Sequence, residues 1–165
     1  MKKIMLIKII LLLITFSFNI AWAATLESRV VGVADGDTIT ILDTTNTQHK
    51  IRLAGIDAPE KRQPFGNVSK QSLSDLVFGK QVVVDYQKLD RYDRVVGKVF
   101  VDGVDANLEQ VKHKLAWYFK KYKSELVLDD RLDYLHAEED AINAQSRLWV
   151  EPGQIPPWEF RKANR

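Results

Sequence analysis

The stretch from Arg29 to Leu53 constrains the fold most. Arg29-Val30-Val31-Gly32-Val33 leads into Asp35-Gly36, Thr38-Ile39-Thr40-Ile41-Leu42 alternates with period two, and Lys50-Ile51-Arg52-Leu53 alternates again. Between the last two lies the polar turn Asp43-Thr44-Thr45-Asn46-Thr47. Side chains that alternate at period two put one face on a core, so this stretch reads as three short strands joined by tight turns. Ala58-Pro59 ends the pattern, because proline removes a ladder donor. A helix is predicted over Phe65 to Phe78, with Val68, Leu73, Leu76 and Val77 on one stripe and Gly79 as its stop. Gln81 to Tyr86 and Asp93 to Val101 read as further strands, the second closed by the turn pair Asp102-Gly103. Asn107 is placed to cap a helix running to about Lys114. A last helix is expected from Glu125 to Gln145 on Leu128, Leu132, Leu135 and Ile142, followed by an extended tail, Gln154 to Trp158. Three strands, a helix, two strands and two helices match an α+β chain built on a five-stranded antiparallel OB-type barrel.

The first 23 residues stand apart. Lys2, Lys3 and Lys8 precede the apolar run Ile9 to Ile14, and Ala21-Trp22-Ala23 supplies a small-x-small cleavage site. This is the pattern of a secretory signal peptide, too short in its apolar part for a membrane span. The expected mature chain is one domain, 24–165, exported to a periplasm or the medium and free of the membrane. The full chain carries 24 basic and 22 acidic residues, net +2. Losing three lysines with the leader leaves 21 against 22, net −1. A global basic footprint for nucleic acid is thereby excluded, so polyanion binding must rest on local arrangement. The chain has no Cys, which excludes disulfides, thiolate metal sites and Cys nucleophiles.

Ionisable residues concentrate in four places. In Asp35-Gly36-Asp37-Thr38, Asp37 is in phase with the apolar Ile39 and Ile41. Its carboxylate there requires a cation or donors; the bland alternative is a turn with Asp37 at its solvated edge. In Arg52-Leu53-Ala54-Gly55-Ile56-Asp57-Ala58-Pro59-Glu60, Pro59 stiffens the loop between Asp57 and Glu60. Asp37 and Asp57 are hard donors suited to calcium or magnesium, and no histidine or thiolate accompanies them to favour zinc. Glu60 is then free to act on water, although a merely charged loop is an equal reading of this piece alone. Asp90-Arg91-Tyr92-Asp93-Arg94 offers arginine forks for phosphate, or else a solvated hairpin mouth of Arg–Asp pairs. In Trp117-Tyr118-Phe119-Lys120-Lys121-Tyr122-Lys123, aromatic residues interleave with lysine. Trp117 and Phe119 are assigned to the core and Tyr122 to a base or phosphate contact. His49, His113 and His136 are scattered without a motif.

Taken in order, these pieces resemble the staphylococcal nuclease (thermonuclease) family from about Val30 to Arg161. Leu115-Ala116-Trp117, Arg147-Leu148-Trp149 and Pro156-Pro157-Trp158-Glu159 look like that family as well. The resemblance implies an OB barrel with three helices and a calcium ion at its edge. It implies that Asp37, Asp57 and the Ala58 backbone carbonyl hold the metal, that Arg52, Glu60 and Arg94 are catalytic, and that Tyr92 and Tyr122 lie beside the substrate. Ala58 departs from a position that is often threonine; a main-chain ligand tolerates the change. Lys114 departs from a glycine that usually ends a helix, which implies a locally altered helix end. The implied activity is a calcium-dependent nuclease that cuts DNA and RNA, single strands preferentially, and leaves 3′-phosphates. The chain is expected to act as a monomer. The alternative is a non-catalytic OB module that binds nucleic acid and is indifferent to a chelator.

Overall fold

The computed structural model describes residues 24–150 and 152–164. The expected leader lies outside them. In chain order the elements are β1 (Ala24–Asp35), β2 (Thr38–Leu42), β3 (Gln48–Leu53), β4 (Ile56–Asp57), α1 (Gly66–Val77), β5 (Gln81–Leu89) and β6 (Val95–Val101). Then follow β7 (Val104–Asp105), α2 (Ala106–Lys112), β8 (Trp117–Tyr118), a 3-10 turn at Lys120–Glu125, α3 (Leu128–Asn143), a second 3-10 turn at Arg147–Trp149 and α4 (Pro157–Ala163).

β1 is long because it serves two neighbours. Its first half, Ala24 to Arg29, pairs antiparallel with β5, and its second half pairs with β2 through register shifts after Val30 and after Val33. Bulges of this kind bend a strand and let a sheet curl. β2 pairs with β3, β5 with β6, and β3 closes on β6 in parallel through Ile51↔Val95 to Leu53↔Gly97. The result is a closed five-stranded OB-type barrel with β7 as a short extra strand. Val30, Ile39, Ile41, Ile51, Leu53, Val84 and Val99 fill it, each at most 1% exposed. Asp102 and Gly103, with φ of 52° and 78°, make the β6–β7 turn that the Asp-Gly pair predicts.

Several local expectations are corrected. Helix α1 buries Gly66, Ser69, Leu73 and Val77, while Val68 is exposed. Small residues line this face because α1 lies against the β1–β2 corner: a Cβ on Gly36 would collide with the Ser69 side chain. Helix α2 is capped by Asp105, whose carboxylate accepts from the Leu108 N–H. Asn107 is instead wholly buried, accepting from the Val99 N–H and donating to the Ala54 and Gly97 carbonyls. Helix α3 buries Tyr134, Ala137, Glu138 and Ala141, leaving Leu128, Leu132 and Ile142 exposed. The tail is helical from Pro157, since proline suits the first helical position. At the end of α2, Leu115 N–H donates to Gln110 O and Lys114 N–H to Val111 O, a Schellman closure. Lys114 itself adopts φ 64°, so the helix end is regular and strained, where an altered one was expected. Among the described residues, no helix is long and apolar enough to cross a membrane.

Candidate active site

The site forms at the mouth of the barrel where the β1–β2 corner meets the segment after β3. The corner is held from behind by Gln110, fully buried, which donates through Nε2 to the Gly36 carbonyl at 2.8 Å and to the Ser69 carbonyl at 3.0 Å. Gly36 is required there, because Ser69 and the Ala58 Cβ leave no room for a side chain. Asp37 follows with 5% exposure, which rules out the solvated-edge reading. Its carboxylate is supplied with donors: Ala58 N–H at 2.6 Å on Oδ2 and Thr38 Oγ1 at 3.1 Å on Oδ1.

Asp57 reaches the same place from β4, which pairs with β8 through Ile56↔Tyr118 and Asp57↔Trp117. It is 1% exposed. Arg52 stands between the two carboxylates, its Nη2 lying 3.1 Å from Asp57 Oδ1 and 3.3 Å from Asp37 Oδ2. The guanidinium is fixed by donating to the Leu53 carbonyl at 2.7 Å and the Ile56 carbonyl at 2.8 Å. One nitrogen touching both carboxylates means that both face a common point. Buried negative charge exceeds what Arg52 neutralises. Burial and the neighbouring Asp37 push Asp35 up to about 7. Asp57 rises to about 6, burial outweighing the opposing Arg161 hydrogen bond.

Among the described residues, no group of three or more His, Cys, Asp or Glu is arranged to hold a metal ion. The donors at hand are two buried carboxylates, Asp37 and Asp57. That set fits a single hard cation completed by water and substrate, and the excess acidity favours one.

Glu60 sits on a loop closed by its own backbone. Gln63 N–H donates to the Glu60 carbonyl at 2.8 Å, and Glu60 N–H donates to Gln63 Oε1 at 2.8 Å. Gly66 packs so closely on the Glu60 carbonyl that a Cβ would not fit. Arg94 and Tyr92 come from the β5–β6 turn, and neither contacts the carboxylates directly. Asp90 organises that turn, accepting from Tyr92 N–H at 2.8 Å, Arg94 N–H at 3.0 Å and Arg94 Nε at 2.8 Å. The hairpin mouth of Arg–Asp pairing therefore exists, and it aims Arg94 into the cleft. Tyr122, 41% exposed, lies with its ring edge-on to Phe119 and within reach of Lys88 from β5. All eight of the residues singled out from sequence line one open cleft of about 1770 Å³.

Sequence reasoning missed Arg161. Its Nη2 donates to Asp57 Oδ2 at 2.7 Å and its Nη1 to Glu60 Oε1 at 2.6 Å, joining the two carboxylates of the second motif. Burial acts to lower its pKa, but the hydrogen bonds to Asp57 and Glu60 prevail and raise it. The available signal was the Pro156-Pro157 pair read as a helix start instead of an extended tail. Trp117 is buried as expected, yet it also forms part of the cleft wall.

The family model of staphylococcal nuclease homologues matches residues 50–151. Proteins similar over most of their length include an uncharacterized endonuclease of Haemophilus influenzae, 38% identical over 161 residues, covering 96% of this chain and 87% of the relative. An uncharacterized endonuclease of Escherichia coli is 37% identical over 152 residues, covering 92% and 94%. A micrococcal nuclease of Shigella flexneri is 34% identical over 154 residues, covering 88% and 85%.

Proposed function

Because the chain belongs to the staphylococcal nuclease family and is a nuclease, we propose that it hydrolyses DNA and RNA with calcium as cofactor, leaving 3′-phosphate and 5′-hydroxyl ends. The observation that supports this reading best is the shared nitrogen of Arg52 between Asp37 and Asp57, with Glu60 one loop away in the same cleft.

Asp37, Asp57 and the Ala58 carbonyl are the groups to hold the cation. When bound, calcium stabilises the negative charge that builds on the phosphoryl oxygens during attack. Arg52, fixed by two main-chain carbonyls, presents its remaining donor capacity to the phosphate. Arg94, oriented by Asp90, neutralises charge from within the same cleft. Glu60 is not needed as a metal ligand. It accepts a hydrogen bond from water and takes up its proton as the water oxygen bonds to phosphorus and the bond to the 5′-oxygen breaks. The departing oxygen leaves as a hydroxyl with a proton from solvent. Tyr92 and Tyr122 offer aromatic faces and hydroxyls to the nucleotides on either side. An open cleft with exposed aromatic faces suits an unpaired strand, so denatured substrates are preferred.

Residues 1–23 act as a cleaved signal peptide, the mature chain works outside the cytoplasm as a monomer, and no membrane contact remains. Digestion of denatured DNA by residues 24–165 tests the catalytic reading. Cutting that needs calcium, stops with chelator and falls by at least ~10²-fold in Glu60→Ser supports it. Cutting that a chelator does not affect, or that survives Glu60→Ser, contradicts it.

A further inference from the structure

Helix α4 brings into the cleft a cation that the catalytic scheme above leaves without a role. A single guanidinium serves two acids with different tasks. Arg161 Nη2 and Nη1 lie 2.7 and 3.2 Å from Asp57 Oδ2 and Oδ1, and the same Nη1 lies 2.6 Å from Glu60 Oε1. Both oxygens of the Asp57 carboxylate are therefore engaged by one fork.

The placement is built into the fold. Pro157 is buried, and Trp158 stacks on Phe119 with ring centroids 4.8 Å apart and planes 7° apart. Trp158 also meets Trp117 edge-on at 6.5 Å. Gln63, 8% exposed, donates through Nε2 to the Ile155 carbonyl at 2.9 Å, while its Oε1 accepts from the Glu60 N–H. One glutamine thus ties the Glu60 loop to the segment that leads into α4. A salt bridge added to an otherwise finished surface needs no such scaffold.

We propose that Arg161 is a positioning residue that clamps Glu60 and competes with the divalent cation for Asp57. This rests on the calcium reading given above. A cation that binds Asp57 shares a carboxylate oxygen with the Arg161 fork, and it does so beside a fixed positive charge. The bond from Arg161 to Glu60 involves neither Asp57 oxygen and persists. Arg161 thereby sets calcium affinity below what the carboxylates alone would give, and in exchange holds Glu60 in place for the water it acts on.

The test uses residues 24–165 as wild type, Arg161→Gln and Arg161→Lys. Calcium is titrated calorimetrically without nucleic acid, and kcat and KM are then measured on denatured DNA at saturating calcium. Arg161→Gln is expected to bind calcium about tenfold more tightly, because a unit positive charge beside the site is gone. Its kcat is expected to fall about tenfold or more, with KM changed less. Arg161→Lys keeps the charge, and with it the fold and a calcium affinity near wild type. It cannot span two carboxylates, so its kcat falls as well. Wild-type kcat in folded Arg161→Lys, or calcium affinity in Arg161→Gln no tighter than wild type, overturns the proposal while the calcium reading stands. A wild type that binds no calcium and cuts without it overturns the calcium reading and the proposal together.

Discussion

Lys114 holds a backbone conformation that suits glycine, with φ 64° at the Schellman closure of α2. A side chain in that region costs about 1–2 kcal/mol relative to glycine, partly offset by the freedom glycine loses on folding. Lys114→Gly is therefore expected to raise unfolding free energy by about 0.5–1 kcal/mol without changing activity, read from the urea midpoint. An unchanged or lower midpoint would show that the lysine side chain contributes something that the closure does not reveal. At this same scale the sequence was most informative about acids and least about partners. The phase of Asp37 with Ile39 and Ile41 offered a buried carboxylate beside a solvated-edge turn, and its 5% exposure decides for the first. Arg161 was not legible, since its partners Asp57 and Glu60 lie about a hundred positions upstream and no local spacing links them.

Among the elements, strands with strict alternation were read correctly because one buried face writes itself into a period of two. Helix α3 shows the opposite case. Its buried stripe is Tyr134, Ala137, Glu138 and Ala141, which carries little hydrophobicity, while the eye-catching Leu128 and Leu132 face outward. Glu138 is buried for a polar reason, accepting from the Tyr118 N–H at 3.0 Å and pairing with Lys120 at 2.8 Å. Helix α4 was hidden by its two prolines, which read as extended chain until Pro157 is placed at the first helical position. Its docking depends on Trp158. Trp158→Ala is expected to lower stability by about 1–2 kcal/mol, the worth of one aromatic stack and its partial burial. Activity should fall more steeply than stability, because α4 then no longer fixes Arg161. Guanidinium unfolding and kcat measured on the same preparation decide this; a loss confined to stability would make α4 a plain structural prop.

For the molecule as a whole, the concentration of buried acid at the barrel mouth sets a pH dependence. Asp35 and Asp57, with folded values of about 7 and about 6, bind protons more tightly folded than unfolded, where a carboxyl titrates near 3.8. Their contribution is fully present below that unfolded value and is lost as pH rises through about 6 and 7. Cation-free protein is accordingly expected to melt at a lower temperature at pH 8 than at pH 5, and Asp35→Asn to flatten that slope. Calcium should restore the melting temperature at pH 8, since binding to the folded state alone stabilises it. A flat profile in the cation-free wild type would argue against uncompensated acid at this site. The five strands of the barrel were visible from alternation and turns; which of them pair, and the closure through parallel β3–β6 pairing, were not, because nothing local in a sequence encodes which distant strands meet.

The most direct test of the whole account is cleavage of denatured DNA by residues 24–165 in isotopically labelled water with calcium present, followed by typing of the new ends. Attack by a water held at Glu60 predicts 5′-hydroxyl ends and 3′-phosphates that carry one solvent oxygen. Products with 3′-hydroxyl ends and labelled 5′-phosphates, or no cleavage by folded protein, would contradict it.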